Sequence, residues 1–271
     1  MKKQAKYVTL IVSMSVLFIT ACKKDHTIVS PTPGTPTPTG NDEKLAKVEQ
    51  SNGAYTSFDY NASGQVATLS AKQTGSAVEI LALSYNADKK IDAATTTDGK
   101  MKFVYDSNKS LTRLEFWSTQ NQHDTLRAYT NYIFQNGKLA ESKMFIKFDP
   151  ADIPAERITY TYNASGDVTT QQTYEWSILL NNYALKETAT FEYDSKKNPL
   201  SATFELGQAL LESISVHNPV KRTVTDAQNN VTETDTFTYS YDSKGYPATQ
   251  TEKIVKPNNA DVSIQSTFSY K

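Results

Sequence analysis

The side chains best suited to catalysis or metal binding are few and scattered in this chain. Its three histidines are His26, His123 and His217, and no two of them have the H-x-x-x-H spacing that places two imidazoles on one helix face. Cys22 is the only cysteine, so a cysteine-based zinc site and an intramolecular disulfide are both excluded. A metal site would need distant carboxylates to converge, and we predict neither a metal nor another cofactor.

Motifs for nucleophilic or phosphate chemistry are also missing from the sequence. The chain lacks the G-x-S-x-G turn of hydrolases, and its ten glycines are scattered rather than gathered in a phosphate-binding loop. Spacing alone leaves a Ser–His–Asp arrangement open, and the two carboxylates of a glycoside hydrolase could be any pair among 29 acidic residues. We predict that the protein is not an enzyme and keep a polysaccharide hydrolase as an alternative.

Aromatic residues offer a clearer route to binding, because the chain contains 16 tyrosines and two tryptophans. Rings on a rigid sheet can stack on the apolar faces of sugars while polar neighbours bond the hydroxyl groups. Trp117 and Trp176 lie outside the repeated motif described next, and Tyr174 and Tyr183 are close to Trp176 in sequence. These four residues form the candidate ligand platform, whereas the tyrosines of the repeat are predicted to be core residues.

A five-residue motif recurs along the chain, consisting of Tyr, then Asp or Asn, two small or polar residues, and often Gly. The Asp or Asn side chain can accept hydrogen bonds from backbone amides two residues on, and the Gly can adopt the positive φ of a bulged hairpin. Each copy is therefore predicted to be the tip of a β-hairpin, with the Tyr packed against an aliphatic residue of the returning strand. The copies are YNASG (60–64), YNADK (85–89), YDSNK (105–109), YNASG (162–166), YDSKK (193–197) and YDSKG (241–245).

The spacing of these tips predicts the architecture. With Phe134 and Tyr270 counted as further tips, most intervals leave room for two strands and a return turn. We predict an all-β fold, a large antiparallel up-and-down meander of about 14–16 strands that is curled or barrel-like, formed by residues 43–271 as one domain. The longest interval contains a stretch of helical character, for which we predict a short helical insertion near residues 206–213; an ordinary strand is the alternative.

Alternation within the predicted strands assigns their faces. In one long strand Tyr183, Leu185, Ala189, Phe191 and Tyr193 alternate with mostly polar residues, which predicts one aromatic face and one wet face. A barrel that spans a membrane is disfavoured, because the lipid-facing line of such a barrel is apolar. The line from Val168 to Trp176 is instead interrupted by threonine and glutamine.

The N-terminal residues predict export and lipid attachment. A basic start is followed by a twelve-residue apolar run, Val8–Ile19, which has the length of a signal-peptide core and is too short to span a bilayer. The run ends in Ile19-Thr20-Ala21-Cys22, which resembles the lipobox of bacterial lipoproteins. Residues 1–21 are therefore predicted to be a signal peptide cleaved before a lipid-bearing Cys22. Residues 22–42, rich in Thr and Pro, are predicted to be an extended tether.

The net charge of the mature chain and the residues that follow Cys22 indicate which partners and which location to expect. Cleavage would leave 25 basic residues against 29 acidic ones, a balance without the basic footprint that nucleic acids or anionic lipids attract. We predict no nucleic-acid partner, and a membrane partner through the lipid on Cys22. The run Lys23-Lys24-Asp25 is similar to leader segments of surface-exposed lipoproteins of the Bacteroidota. The outer membrane is the expected location, with the cell surface favoured over the periplasmic face.

The ordered series of hairpins resembles a lipoprotein family of the Bacteroidota that carries a domain of unknown function with a porin-like fold. The segments NPL (198–200), HNPVKRT (217–223) and YSYDSKGYP (239–247) resemble the C-terminal half of that family. A more distant similarity links the chain to the YD repeats of bacterial Rhs proteins, from which it departs in its irregular period and in four tips without glycine. Neither resemblance implies catalytic residues.

The sequence supports three functional hypotheses of different classes. The first is a lipid-anchored, non-enzymatic binding or scaffolding module of the envelope, with a glycan or an envelope component as its partner. The second is a structural envelope domain whose wet strand face docks another protein. The third is the polysaccharide hydrolase introduced above.

Overall fold

The computed structural model describes residues 43–120, 123–203 and 215–271. All strands pair antiparallel with their sequence neighbours, and the first also pairs with the last, so the meander closes into a barrel. The prediction of an all-β up-and-down meander is thereby confirmed, at the upper limit of the predicted strand count. The strands are β1 (Leu45–Gln50), β2 (Tyr55–Tyr60), β3 (Val66–Lys72), β4 (Glu79–Tyr85), β5 (Ile91–Thr95), β6 (Gly99–Tyr105), β7 (Leu111–Gln120), β8 (His123–Gln135), β9 (Lys138–Ile146), β10 (Ile153–Tyr162), β11 (Val168–Ser177), β12 (Asn182–Lys197), β13 (His217–Asp226), β14 (Val231–Tyr241), β15 (Pro247–Val255) and β16 (Val262–Tyr270).

Helical structure is limited to one turn within the described ranges. A 3-10 helix, Pro199–Thr203, follows β12 in the longest interval between tips. The predicted helical insertion at 206–213 lies outside the described residues, as do the predicted signal peptide, Cys22 and the tether. Within the described ranges, no helix has the length and apolar character needed to cross a membrane.

Five of the six copies of the repeated motif form hairpin tips, as the sequence predicts. The prediction is wrong for YDSKK (193–197), which lies within β12 and is followed by the 3-10 helix. In the tip after β2, the Asn61 side-chain oxygen accepts hydrogen bonds from the amides of Ser63 and Gln65, both at 3.0 Å. Asp242 does the same for Lys244 and Tyr246 at 2.9 Å. In the five copies that form tips, the fifth position has a positive φ whether it is glycine or lysine, so these tips share a turn geometry rather than a residue type. These angles are 77° at Gly64, 61° at Lys89, 64° at Lys109, 98° at Gly166 and 85° at Gly245.

A register shift beside each tip places the tyrosine opposite the predicted aliphatic residue. The shift falls between Asp59 and Tyr60 in the first tip, where Tyr60 pairs with Val66. Such a bulge adds one residue to one strand and increases the local twist, which a closed sheet requires. The other predicted pairs are also present, namely Tyr85 with Ile91, Tyr105 with Leu111, Phe134 with Leu139 and Tyr162 with Val168.

The tyrosine hydroxyl groups link neighbouring hairpins. The hydroxyl of Tyr105 donates to the carbonyl oxygen of Ile91 at 2.9 Å, where β5 begins after the preceding tip. Tyr270 donates in the same way to the first residue of β15, Pro247, at 2.7 Å. Each such bond contributes about 1 kcal/mol to stability. The repeat therefore has an architectural role: it closes each hairpin and ties it to the next.

The chain packs as two compact units. Of the described residues, the first unit contains 43–80, 191–203, 215–222 and 233–271, and the second contains 81–120, 123–190 and 223–232. In each unit one face of the strands is apolar and almost fully buried. The first unit buries Leu45, Phe58, Leu69, Ile254 and Ile264, and the second buries Ala94, Met101, Leu114, Ala128 and Ile158.

Replacement of Tyr270 with phenylalanine tests the role of the hydroxyl bonds. Tyr270→Phe leaves the buried Pro247 carbonyl without its donor, and we expect it to lower the free energy of unfolding by about 1–2 kcal/mol. The matched control is Tyr55→Phe, because none of the described hydrogen bonds uses the Tyr55 hydroxyl and its ring lies under Lys47 at the surface. Urea unfolding would measure both, and equal losses in the two variants would contradict the proposed role.

Candidate functional site

The register of β10, β11 and β12 separates a buried face from an outer face in the second unit. Residues directly opposite each other on neighbouring strands share a face. Ile158 pairs with Thr173, and both are buried. The adjacent pair, Arg157 with Tyr174, therefore lies on the other face, which we call the outer face.

Three of the four residues of the predicted platform meet on this outer face. Trp176 pairs directly with Tyr183, and the two rings pack edge to face with centroids 5.1 Å apart and planes at 79°. Tyr174 precedes Trp176 by two positions on the same face, and the Arg157 guanidinium lies 5.1 Å from its ring centre. We call Tyr174, Trp176 and Tyr183 the β11–β12 aromatic patch. All three side chains are partly exposed.

Polar groups lie beside the aromatic patch. Glu141 accepts ion pairs from Lys143 and Arg157, both at 2.6 Å. The hydroxyl of Tyr183 is buried and has no hydrogen-bond partner among the described residues. Burial raises the pKa of Tyr183, the Glu141 carboxylate raises it further, and Arg157 lowers it. An unpaired buried hydroxyl costs about 1–3 kcal/mol, so this group lowers the stability of the patch, and because it is buried it is not available to a ligand.

Trp117, the fourth residue of the predicted platform, lies apart from the patch. It is on β7, and β8, β9 and β10 separate that strand from β11 in the order of the sheet. Its indole nitrogen donates to Glu115 at 3.0 Å, and the Lys100 ammonium lies 5.9 Å from its ring centre. His123 is exposed at the start of β8. No group of metal-binding side chains occurs within the described ranges.

The structure reveals a buried charge cluster that the sequence analysis missed. In the first unit, Arg222 donates to Glu233 at 2.6 Å and to Asp235 at 2.7 Å. The Asp235 side chain is only 3% exposed, and its second carboxylate oxygen has no hydrogen-bond partner among the described residues. A signal was present in the sequence, because Asp235 alternates with Phe237 and thus occupies the face that the strand buries.

Glu252 is the carboxyl group near this cluster whose pKa is raised closest to neutral pH. It lies opposite Phe237 on β14 and opposite Ile264 on β16. Burial raises the pKa of Glu252 to about 7, and the neighbouring Asp235 carboxylate adds to the shift. Burial also raises the pKa of Asp235 despite its contact with Arg222. Carboxyl groups with displaced pKa values serve as acids and bases in many hydrolases. This cluster is therefore the candidate catalytic site for the hydrolase hypothesis.

Solved structures of Bacteroides proteins share the fold. A porin-like protein from Bacteroides uniformis matches with a TM-score of 0.56 and 12% sequence identity, over 84% of this chain and 96% of its own. A porin-like protein from Bacteroides vulgatus matches with a TM-score of 0.55 and 12% identity, over 85% of this chain and 99% of its own. These structures confirm, for the fold, the resemblance to porin-like proteins that the hairpin series predicts.

A weaker structural match involves a bacterial toxin. The Photorhabdus luminescens Tc holotoxin pore matches over 80% of this chain and 12% of its own, at 11% identity and a TM-score of 0.35, which is too low to support an argument. No protein-family model matches the chain. No curated protein matches it either.

The raised pKa of Glu252 predicts a pH-dependent stability. A carboxyl whose pKa is about 7 in the folded state and near 4.5 when unfolded binds more protons in the folded state between these values. Stability then falls as the pH rises through that window. Glu252→Gln removes the penalty, so we expect it to match the wild type near pH 4 and to exceed its unfolding free energy by about 1–3 kcal/mol at pH 8.

Urea unfolding of wild type and variant at several pH values between 4 and 8 would measure this difference. The control is Glu192→Gln, which removes an exposed carboxylate paired with Lys221 at the surface and should change stability by less than about 1 kcal/mol at any pH. A difference between wild type and Glu252→Gln that does not vary with pH would contradict the assignment.

Proposed function

We propose that this protein is a lipid-anchored envelope module that binds its partner without catalysis, and that the β11–β12 aromatic patch is its contact surface. The ligand class that best suits the patch is a glycan. A sugar has apolar ring faces and hydroxyl edges, and the patch combines aromatic surfaces with polar groups. The observation that carries the proposal is the meeting of Tyr174, Trp176 and Tyr183 on one partly exposed face.

The arrangement of the patch supports binding in three ways. Trp176 and Tyr183 stand at 79° to each other, so they offer two apolar walls rather than one flat surface. The ion pairs of Glu141 hold Arg157 beside Tyr174, which fixes a charged donor at the edge. Rings already held by neighbours lose little conformational freedom on binding, and tryptophan, tyrosine and arginine are the residues that most often dominate binding energy.

A non-enzymatic role is favoured by the location of the carboxyl groups. Asp235 lies on the buried face of its strand with 3% of its side chain exposed, and Arg222 neutralises it through a 2.7 Å ion pair. A polysaccharide substrate would have to enter the packed face of the first unit to reach the cluster. We therefore assign Arg222, Asp235 and Glu252 a structural role in the proposal.

Protein docking is the second candidate, and a specific observation favours it. On the same outer face, Phe145 and Arg113 are partly exposed and pack on the ring of Tyr129, which is itself only 9% exposed; the Phe145 ring centre lies 5.1 Å from it and the Arg113 guanidinium 4.3 Å. The outer face of the second unit therefore carries aromatic and arginine side chains well beyond the patch. A wide surface of this composition suits a protein partner.

Glycan binding by the patch can be tested with a matched tryptophan pair. Trp176→Ala and Tyr183→Ala each remove one wall of the patch, and we expect at least a tenfold loss of affinity for any glycan that the wild type binds. Trp117→Ala, which removes the separate tryptophan, should leave the affinity unchanged. Screening of labelled envelope polysaccharides would provide the ligand, and circular dichroism would check the fold of each variant.

The outcomes of that screen separate the candidates. Binding that all three alanine variants retain, or lose equally, would exclude the patch as a glycan site. An absence of binding to every polysaccharide, together with capture of one envelope protein that Trp176→Ala abolishes, would favour protein docking. Turnover of a labelled polysaccharide would favour the hydrolase instead.

Lipid attachment at Cys22 is the second part of the proposal. A porin-like fold is compatible with an envelope location, and the lipobox-like segment supports attachment to the outer membrane with the barrel on the cell surface. We expect the wild type in the washed membrane fraction of its host and Cys22→Ser in the soluble fraction. Protease added to intact cells should digest the wild type. A protected domain would contradict the surface location, and an unchanged distribution of Cys22→Ser would contradict the anchor.

A further inference from the structure

The turn between β11 and β12 exposes three consecutive apolar side chains. Ile178, Leu179 and Leu180 are exposed by 83%, 98% and 68%. The turn is held by hydrogen bonds from the Leu180 amide to the Ser177 hydroxyl at 3.3 Å and from the Asn181 amide to the Ile178 carbonyl at 3.4 Å. Turns usually carry polar residues, and a contiguous exposed apolar group marks a contact with another body. We call these three residues the apolar tip.

A second apolar turn lies at the same end of this unit. Alternate turns of an antiparallel meander share an end, so the β9–β10 turn is on the same side as the apolar tip. That turn exposes Phe148 by 59% and is followed by Ile153, which is exposed by 38%. Four large apolar side chains therefore project from two turns separated only by the hairpin of β10 and β11.

The residues that flank the apolar tip have the character of a membrane interface. Trp176 and Tyr183 precede and follow the tip and pack against each other at 5.1 Å. Tryptophan and tyrosine concentrate where lipid headgroups meet acyl chains, because their rings are apolar at one end and polar at the other. Nearby lysines are neutralised, with Lys147 paired to Asp152 at 2.7 Å and Lys186 to Glu175 at 2.7 Å.

We propose that the apolar tip and Phe148 insert into the boundary between the headgroups and acyl chains of a lipid bilayer. Side chains that project from the ends of turns, rather than line a groove, fit a fluid medium better than the fixed surface of a protein. The apolar tip enters first, and Trp176 and Tyr183 come to rest at the headgroup level. Because the neighbouring lysines are already paired, the contact depends on apolar burial rather than on attraction to anionic lipids.

The choice of a bilayer as the occupant rests on the lipid anchor proposed at Cys22. The twenty residues from Lys23 to Asp42 would reach about 60 Å if extended at ~3.1 Å each. A ten-residue strand such as β10 spans only about 33 Å. The tether is therefore long enough for either end of a strand to face the membrane. A tethered contact also acts at an effective concentration in the millimolar range, so weak insertion is sufficient.

Insertion of the apolar tip would place the aromatic patch beside the lipid headgroups. With the tip in the bilayer, the patch faces sugars carried on lipid headgroups rather than sugars free in solution. The membrane contact and the glycan site remain separable, because the apolar tip is distinct from Tyr174, Trp176 and Tyr183. A variant of the tip can therefore lose membrane contact and keep sugar binding.

Vesicle binding by the unlipidated chain tests the proposal directly. The protein would comprise residues 22–271 with Cys22→Ser, which keeps every described strand, since these begin at Leu45. Sucrose-loaded vesicles of phosphatidylcholine, and of phosphatidylethanolamine with phosphatidylglycerol, would be sedimented with it. We expect binding to both, with less than a twofold change between 0.1 M and 0.5 M salt. In a Trp117→Phe background, the fluorescence of Trp176 should shift to shorter wavelength on binding.

Substitutions of the tip supply the decisive comparison. A variant carrying Ile178→Ser, Leu179→Ser and Leu180→Ser should reduce the bound fraction at least tenfold and abolish the fluorescence shift. The control is Ile133→Ser, which alters an apolar residue exposed by 43% beside the Phe134 hairpin turn at the opposite end of the strands. It should bind like the wild type. The three substituted side chains are mostly exposed in the fold, so the unfolding midpoint of the variant should change little.

Three results would overturn the proposal. These are a wild type that does not sediment with vesicles, a triple-serine variant that binds as well as the wild type, and a wild type whose tip is instead buried in a dimer. Analytical ultracentrifugation of wild type and triple-serine variant would detect the last. The assay contains no lipid on Cys22 and no added glycan, so its failure would be distinguishable from failure of the anchor or of the glycan site.

Discussion

The hydrogen bond from a tyrosine hydroxyl to the carbonyl of the preceding hairpin is the interaction on which the closed sheet depends. In this meander every strand except β1 and β16 pairs only with its sequence neighbours, so each hairpin is fixed to the next one locally. Tyr105 and Tyr270 show how this is done, because each reaches the first residue of the strand that follows the previous tip. The side-chain turn and bulge at every tip hold the tyrosine in register for that bond.

A fold secured at its hairpin ends tolerates polar residues along its buried face. The Arg222 cluster lies beside Phe237, Ile254 and Ile264, where a hydrophobic residue would be expected. Arg222 bonds both Glu233 and Asp235 and so offsets part of their desolvation. Burial raises the pKa of Glu252 more than the charge of Arg222 lowers it, so Glu252 holds its proton to a higher pH. Buried ion pairs are weak contributors to stability and stronger contributors to a single packing arrangement. We regard the cluster as a structural element on these grounds.

The outer face of the second unit carries aromatic side chains at the surface, where polar residues would be expected. A bulge at Lys186 is the cause. Thr173 pairs with Glu187 and Tyr174 with Leu185, so Lys186 is the extra residue and the side-chain alternation is reset there. Tyr183 and Leu185 lie on the outer face, while Ala189 lies on the buried one. The prediction that these residues share one aromatic face is therefore wrong, and the same shift creates the patch on which the proposed function rests.

The sequence by itself determined most of the hairpin tips, the cross-strand pairs such as Tyr60 with Val66, the antiparallel meander and the upper limit of its strand count. These features are local, because a turn and its two flanking residues fix them within about ten positions. Tertiary structure decided the closure of β1 on β16, the faces on either side of each bulge and the burial of Glu252 near the charges of Arg222 and Asp235. It also separated Trp117 from Trp176. Those outcomes depend on strands that are distant in sequence and on single-residue register shifts, which no local pattern in the chain specifies.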